Sequence, residues 1–409
     1  PMSFSTRSWR SPETLLILLA VGSPLAFYTW MTLLNNFAVE QAAFTGIEIG
    51  ILQSLREVPG FLTFTVVFVL LIVKEQPFAV LALALLGVGT AITGFFPTVY
   101  GLYFTTVVMS VGYHYFESIH QSLSLQWLDK RVAAEALGRI VAASSFAGLV
   151  AFGLIYFAVD TFGVAMKWVY VVGGCSAVVI AIACWLFFPR MESVTVQHKH
   201  IVIRKRYWLY YCLQFMGGAR RQIFVVFAGF LMVEKFGFSP GEVALLYLAN
   251  GLLTMLTAPI IGKLIGRFGE RRALIIEYIG LIAVFTGYAF VETASVAVAL
   301  YILDHLFFSV AIAMKTYLQK IADPADIAST SGVSFTINHI AAVVLPAAYG
   351  FLWIISPGAV FLSGAALAGV SLALAMLVPR TPSPDNVARV GPWKGAPSPP
   401  EEPIEQPAE

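Results

Sequence analysis

Phe188–Tyr207, FPRMESVTVQHKHIVIRKRY, is the one long polar interruption between the first apolar segment and the C-terminal tail. Two apolar blocks of similar length flank it, and they read as two copies of one unit. Val39-Glu40 in the first block answers Val233-Glu234 in the second. The same offset pairs Phe44 with Phe238, Glu48 with Glu242, Asp129 with Asp323 and Gly138 with Gly332. A single ungapped offset holding over separated matches indicates duplication. A repeat this long, made of membrane spans, points to a two-fold membrane architecture rather than a solenoid.

Composition sets the solvent. Of 409 residues, 58% are hydrophobic and only 12% charged, and the mean hydropathy is +0.81. A soluble chain carries about 25% charged residues, so lipid must solvate most of this one. The basic residues behind the net charge of +2 are spread over loops rather than gathered on one face, which excludes nucleic acid as a partner. Cys175, Cys184 and Cys212 sit in apolar runs. Their odd number and lack of ligand spacing make them small apolar residues, not a disulfide framework or a zinc site.

Taking about 20 apolar residues per crossing, the chain divides into twelve helices. In the first half they cover 14–36, 45–73, 77–96, 98–127, 132–159 and 165–189; in the second, 207–234, 240–266, 271–291, 293–321, 327–355 and 357–379. Ser11-Pro12-Glu13 is a helix start with Pro in its first turn, and the run after it is expected to remain as a span rather than be cleaved as a signal peptide. Pro59, Pro259 and Pro346 fall inside spans, where neighbouring helices can satisfy the freed backbone. The expected organisation is a six-helix bundle over 1–189, a loop over 190–206, a second bundle over 207–379, and a disordered tail over 380–409, rich in Pro and Glu.

Lys and Arg fix the orientation. With the N-terminus inside, the inner loops hold Arg7, Arg10, Lys74, Lys130, Arg131, Arg190, Lys199, Arg204, Lys205, Arg206, Lys263, Arg267, Arg271, Arg272 and Lys320, and the outer loops only Lys167 and Lys235. The positive-inside rule then places both termini in the cytoplasm of a multi-pass protein of the plasma (inner) membrane.

Gly262–Arg272, GKLIGRFGERR, lies between the eighth and ninth spans on that inner side. It resembles the loop signature of the major facilitator superfamily (MFS), glycine-x-leucine-x-aspartate-arginine-x-glycine-arginine-arginine. Gly262, Leu264, Arg267, Gly269, Arg271 and Arg272 match, while Gly266 stands at the acidic position. The resemblance implies an all-α membrane protein of two pseudo-symmetric six-helix bundles, rocking about a midplane site lined by the first, fourth, seventh and tenth spans. It also gives Gly262, Arg267, Gly269, Arg271 and Arg272 a role in conformational change. Two subfamily signatures are missing. The arginine of the fourth-span proton-coupling motif falls on about Val108, and SSFAGLVAFG in the fifth span lacks the glycine-proline kink of drug/proton antiporters.

The chemistry lies in polar residues at membrane depth, each costing about 2.5–3.5 kcal/mol to insert when ionised. Arg56 and Glu57 fall in the second span, His114, Glu117 and His120 in the fourth, Arg220 and Arg221 in the seventh, Asp304 and His305 in the tenth, and His339 in the eleventh. His114 and Glu117, three apart, share a helical face and suit proton exchange, with Asp304 and Glu57 as further candidates. Neighbours on a helix diverge by about 100°, so at most one of Arg220 and Arg221 points squarely into a cavity. The other must turn to an adjacent helix and find an acid, with Glu57, Glu117 and Asp304 as candidates. A midplane guanidinium suits a carboxylate or phosphate, and Arg220 is favoured for that contact. Arg56, His305 and His339 are further binding candidates, and Tyr28 and Tyr113 suit the floor of a cavity.

The expected function is a secondary active transporter of a small organic anion or zwitterion, proton-coupled and monomeric, needing no cofactor. No G-x-x-x-x-G-K-[ST] loop occurs, so an ion gradient or a partner must supply the energy, and no enzymatic activity is expected. The runner-up is a transporter of a transition metal or anionic metal chelate, since His114, Glu117, Asp304, His305 and His339 are suitable ligand types. A third reading, a non-transporting scaffold for pigment, lipid or protein assembly, should have shed its buried charges.

Overall fold

The computed structural model describes residues 9–70, 72–128, 133–191, 203–310, 312–323 and 327–390. Arg7, Asp129, Lys130, Arg131, most of the central loop (192–202, with Lys199) and the tail beyond 390 lie outside the described residues. All the elements are helices: α1 (Pro12–Ala42), α2 (Gly46–Phe61, drawn on by short turns to Val69), α3 (Glu75–Thr93), α4 (Val99–Trp127), α5 (Ala133–Tyr156), α6 (Met166–Phe187), α7 (Trp208–Gln222, continued through a π turn at Ile223–Ala228 to Glu234), α8 (Pro240–Phe268), α9 (Glu270–Ala289), α10 (Ala294–Ser309, continued by Ile312–Ile321), α11 (Ile327–Ile355) and α12 (Pro357–Ala375). Among the described residues, nine helical stretches are long and apolar enough to cross a membrane; α2, α4 and α8 are the rest.

The two blocks start their helices in the same way. Thr45 and Glu48 form a capping box at the start of α2, and Ser239 and Glu242 form one at the start of α8. Each box satisfies two orphan N–H groups. The two are separated by the offset that relates Val39 to Val233. Just ahead of each box the chain passes through the left-handed region, at Ala43 (φ 53) and at Gly237 (φ 67). Glycine takes that conformation freely, whereas Ala43 carries a cost of about 1–2 kcal/mol.

Helices α1–α6 pack chiefly among themselves, as do α7–α12, and the two sets meet mainly through α2 against α11 and α5 against α8. The α2–α11 contact is backbone on backbone. A Cβ on Gly50 would lie 2.3 Å from the Pro346 carbonyl oxygen, and one on Gly350 would lie 2.4 Å from that of Gly46. Close by, the Ala347 N–H donates to Ser54 Oγ at 3.0 Å. At the same end of the molecule, the Asp160 carboxylate accepts from Ser239 Oγ at 2.6 Å and the Gly241 N–H at 3.1 Å, placing an anion on the N-terminus of α8. Asn36 Nδ2 donates to the Phe238 carbonyl at 2.6 Å. This end is closed by contacts between the two sets.

The opposite end carries a fold-back. Residues 381–390, part of the segment expected to be a disordered tail, return against the second set of helices. Val387 and Ala388 are buried. Tyr317 Oη donates to the Val387 carbonyl at 2.6 Å, the Arg389 N–H to the Leu377 carbonyl at 2.8 Å, and Arg206 Nη2 to the Pro384 carbonyl at 2.7 Å. A short apolar run and three hydrogen bonds offset the Pro-rich composition there.

Candidate functional site

Three helices from both sets converge at mid-depth. Arg56 and Glu57 on α2 form an ion pair, and Arg56 Nε also donates to Gln53 Oε1 at 2.6 Å. The other carboxylate oxygen of Glu57 lies 3.5 Å from His339 Nε2 on α11. His114 on α4 faces His339 ring to ring, with centroids 5.6 Å apart. Its Nδ1 meets the Ser110 carbonyl at 3.1 Å and Ser110 Oγ at 3.0 Å. His339 Nδ1 meets the Phe335 carbonyl at 2.8 Å. Gly60 makes the convergence possible: a Cβ there would lie 2.5 Å from His339 Cδ2 and 2.8 Å from His114 Nε2. Glu57, His114 and His339 are all buried.

Arg221, half-buried on α7, shares the electrostatic surroundings of Glu57, Arg56 and Tyr113. Among the described residues it has no carboxylate within ion-pairing distance. Beside this group a cavity of about 20 Å³ is lined by Phe27, Trp30, Met31, Leu34 and Asn35 of α1, Gln53 and Arg56 of α2, Val225 of the π turn and Tyr247 of α8. That volume suits about one water. Trp30 Nε1 and Asn35 Oδ1 are buried without a hydrogen-bond partner.

Arg220 turns the other way. It is buried, its guanidinium sits 4.3 Å over the Tyr278 ring, and Nη1 lies 3.9 Å from Glu277 Oε1 on α9. Buried Asp304 on α10 interacts electrostatically with both Arg220 and Glu277. Arg220 Nε, Glu277 Oε2 and Asp304 Oδ1 all lack a hydrogen-bond partner. Asp304, one of the acids expected for this pairing, thus lies near Arg220, while the carboxylate at ion-pair distance is Glu277, which was not among them. Glu277 stands in the apolar run ALIIEYIGLI, and its isolation there was the available signal.

The remaining candidates scatter. Glu117 accepts from Ser23 Oγ on α1 at 3.3 Å, and no hydrogen bond joins it to His114. Tyr113 stacks on Phe27 with centroids 4.0 Å apart, and Tyr28 on Phe152 at 5.0 Å. His305 packs against Tyr301 and Phe224 within α7 and α10. His120 Nε2 meets the Leu16 carbonyl at 2.9 Å. In the loop stretch, Gly262 and Arg267 lie in α8, Gly269 (φ 83) is the single-residue joint, and Arg271 and Arg272 open α9. Buried Glu270 beside them pairs with Lys320 Nζ at 2.7 Å.

A bundle of long apolar helices, with charges held at mid-depth between two similar halves, defines a membrane transport protein. The major facilitator superfamily profile matches residues 14–346 and again 210–402, and the chain belongs to that family. Similar solved structures include the nucleoside transporter NupG in a mutant form (TM-score 0.75, 14% identity, covering 90% of this chain and 99% of that one). Another is a bacterial homolog of the human lysosomal transporter Spinster, inward-facing and occupied (TM-score 0.70, 14% identity, 90% and 96% covered). At such identity these likenesses establish the fold. No curated protein sequence matches the chain.

Proposed function

We propose that the chain is a secondary active transporter of a small organic anion or zwitterion, working by alternating access between bundles 1–189 and 207–379, with all twelve helices crossing the membrane. Arg221 carries this reading. Arg56, Arg221 and Glu57 together hold two positive charges and one negative, and Arg221 has no ion-pair partner among the described residues. Even a half-buried guanidinium carries a desolvation cost when no counter-ion is in contact, and an anionic substrate supplies one through a bidentate contact. Unpartnered Trp30 Nε1 and Asn35 Oδ1, in the small cavity that Arg56 also lines, offer a donor and an acceptor to the rest of the ligand.

The Arg220 group has the opposite balance, two carboxylates to one guanidinium, and a single proton neutralises it. That supports proton coupling through Asp304 or Glu277, with Glu117 as a third candidate. Lys/Arg asymmetry supports the closed end as the outer face. A thermal-shift screen of organic acids and zwitterions on the purified protein tests the reading, because a ligand of the native state raises its melting temperature. An anion that stabilises the wild type but not Arg221→Lys is the expected result; hits unaffected by that change would remove Arg221 from the site. Labelling of His198→Cys from outside intact cells should fail, and ready labelling would reverse the orientation.

A further inference from the structure

We infer that Glu57, His114 and His339 bind a divalent transition-metal ion of the zinc class, at a site assembled from both halves of the molecule. The three ligand atoms lie within 4.8 Å of one another, and all three residues are buried. A tetrahedral ion with bonds of about 2.0–2.2 Å needs its ligands about 3.3 Å apart, and the Glu57–His339 separation of 3.5 Å already approaches that.

The tautomers carry the argument further. Each imidazole places Nδ1 on the carbonyl four residues back in its own helix, Ser110 for His114 and Phe335 for His339. A carbonyl only accepts, so each Nδ1 donates, and in the neutral ring each Nε2 keeps its lone pair. His339 Nε2 then faces Glu57 Oε2, and both are acceptors. Two acceptors in contact at a buried site require a cation between them. A proton bridges two groups; an ion of the zinc class satisfies all three lone pairs at once. Carbonyl-anchored imidazoles and a carboxylate held by a second partner are the outer-shell pattern that orients metal ligands. Arg56 is that second partner for Glu57.

The two guanidiniums near the site weaken the affinity for a dication without removing the ligands. Since Glu57 and His114 belong to α2 and α4 and His339 to α11, an ion bound here clamps the halves at this depth. The site therefore favours one conformation over the other. The inference does not depend on which organic anion the protein carries.

Purified full-length protein, stripped with a chelator, is titrated with Co2+ and then with Zn2+. The expected result is one equivalent of Co2+ with the visible absorption of a low-coordinate site, displaced by Zn2+, and a melting temperature that rises with Zn2+. His114→Gln and His339→Gln should each lose the visible band. Ser110→Ala removes the hydroxyl that also meets His114 Nδ1 but keeps the carbonyl anchor, so it should weaken binding by no more than about 10-fold, the low end of an outer-shell change. Arg221→Gln should tighten Zn2+ binding by removing a repelling charge, a response that a structural role for the cluster would not produce. Absence of Co2+ absorption in the wild type overturns the inference, as does Co2+ binding as tight as the wild type's in either histidine variant. So does a melting temperature that responds to pH but not to metal, which would make the bridging cation a proton.

Discussion

Arg220 and Arg221 are adjacent in the chain and opposite in circumstance. Arg220 lies within its own half, against Glu277 and over Tyr278, where negative charge is in excess. Arg221 faces the other half, near an acid already committed to Arg56, where positive charge is in excess. A turn of about 100° on one helix separates a guanidinium compensated by the protein at all times from one left for something else to compensate. Under the proposed function, direction around a helix separates structural from substrate-binding charge more finely than depth in the membrane does.

The largest effect should come from Arg220→Met. It strands Glu277 and Asp304 at low dielectric, a loss of about 3–5 kcal/mol for a truncated buried pair, seen as poor expression and a lowered melting temperature. Adding Glu277→Gln should recover most of that loss. If the double variant is no better than the single, packing over Tyr278 rather than charge explains Arg220. Next comes Arg221→Lys, which keeps the charge but not the fork. Its melting temperature should stay near that of the wild type, while substrate affinity drops by about 1.5–3 kcal/mol, the worth of hydrogen bonds to a charged group. A stability loss like that at Arg220 would erase the distinction between the two. The smallest change in stability is expected from Glu117→Gln, whose hydrogen-bond partner among the described residues is the neutral Ser23 hydroxyl. Here the readout is coupling: accumulation driven by a pH gradient should fail while substrate exchange continues. Unchanged gradient-driven uptake would leave the proton to Asp304 and Glu277.

The regular part of this molecule was legible in its sequence. Apolar run lengths located the helices, and the Val39–Val233 offset led to matched capping boxes at Thr45 and Ser239. Divergence of the two arginines followed from helical geometry, but which one faced inward depended on the rotation of α7, which sequence does not encode locally. His114 and Glu117 do sit one turn apart, yet His114 found its carboxylate on α2 and its ring partner on α11. Spacing sees neighbours within a helix and is blind to neighbours across a bundle. Glu277 is legible as a lone acid in an apolar run, but its pairing with Arg220 on another helix is beyond the reach of spacing. At the tail, bulk composition masked Val387 and Ala388, which two to three residues were enough to anchor.

The glycine contact between α2 and α11 makes one methyl group a wedge. No side chain lies between Gly50 and the Pro346 carbonyl that could yield to an added Cβ, so Gly50→Ala must part the helices or be refused. Overpacking of this kind costs about 1–3 kcal/mol, comparable to the gap between two populated states of a protein. Under the proposed alternating access, the substitution is a trap for the form in which α2 and α11 have parted, one that needs neither ligand nor antibody. Spin labels at Gln41 and Ser356 would report it as a longer distance in the variant, and an unchanged distance would mean that the contact bends rather than opens.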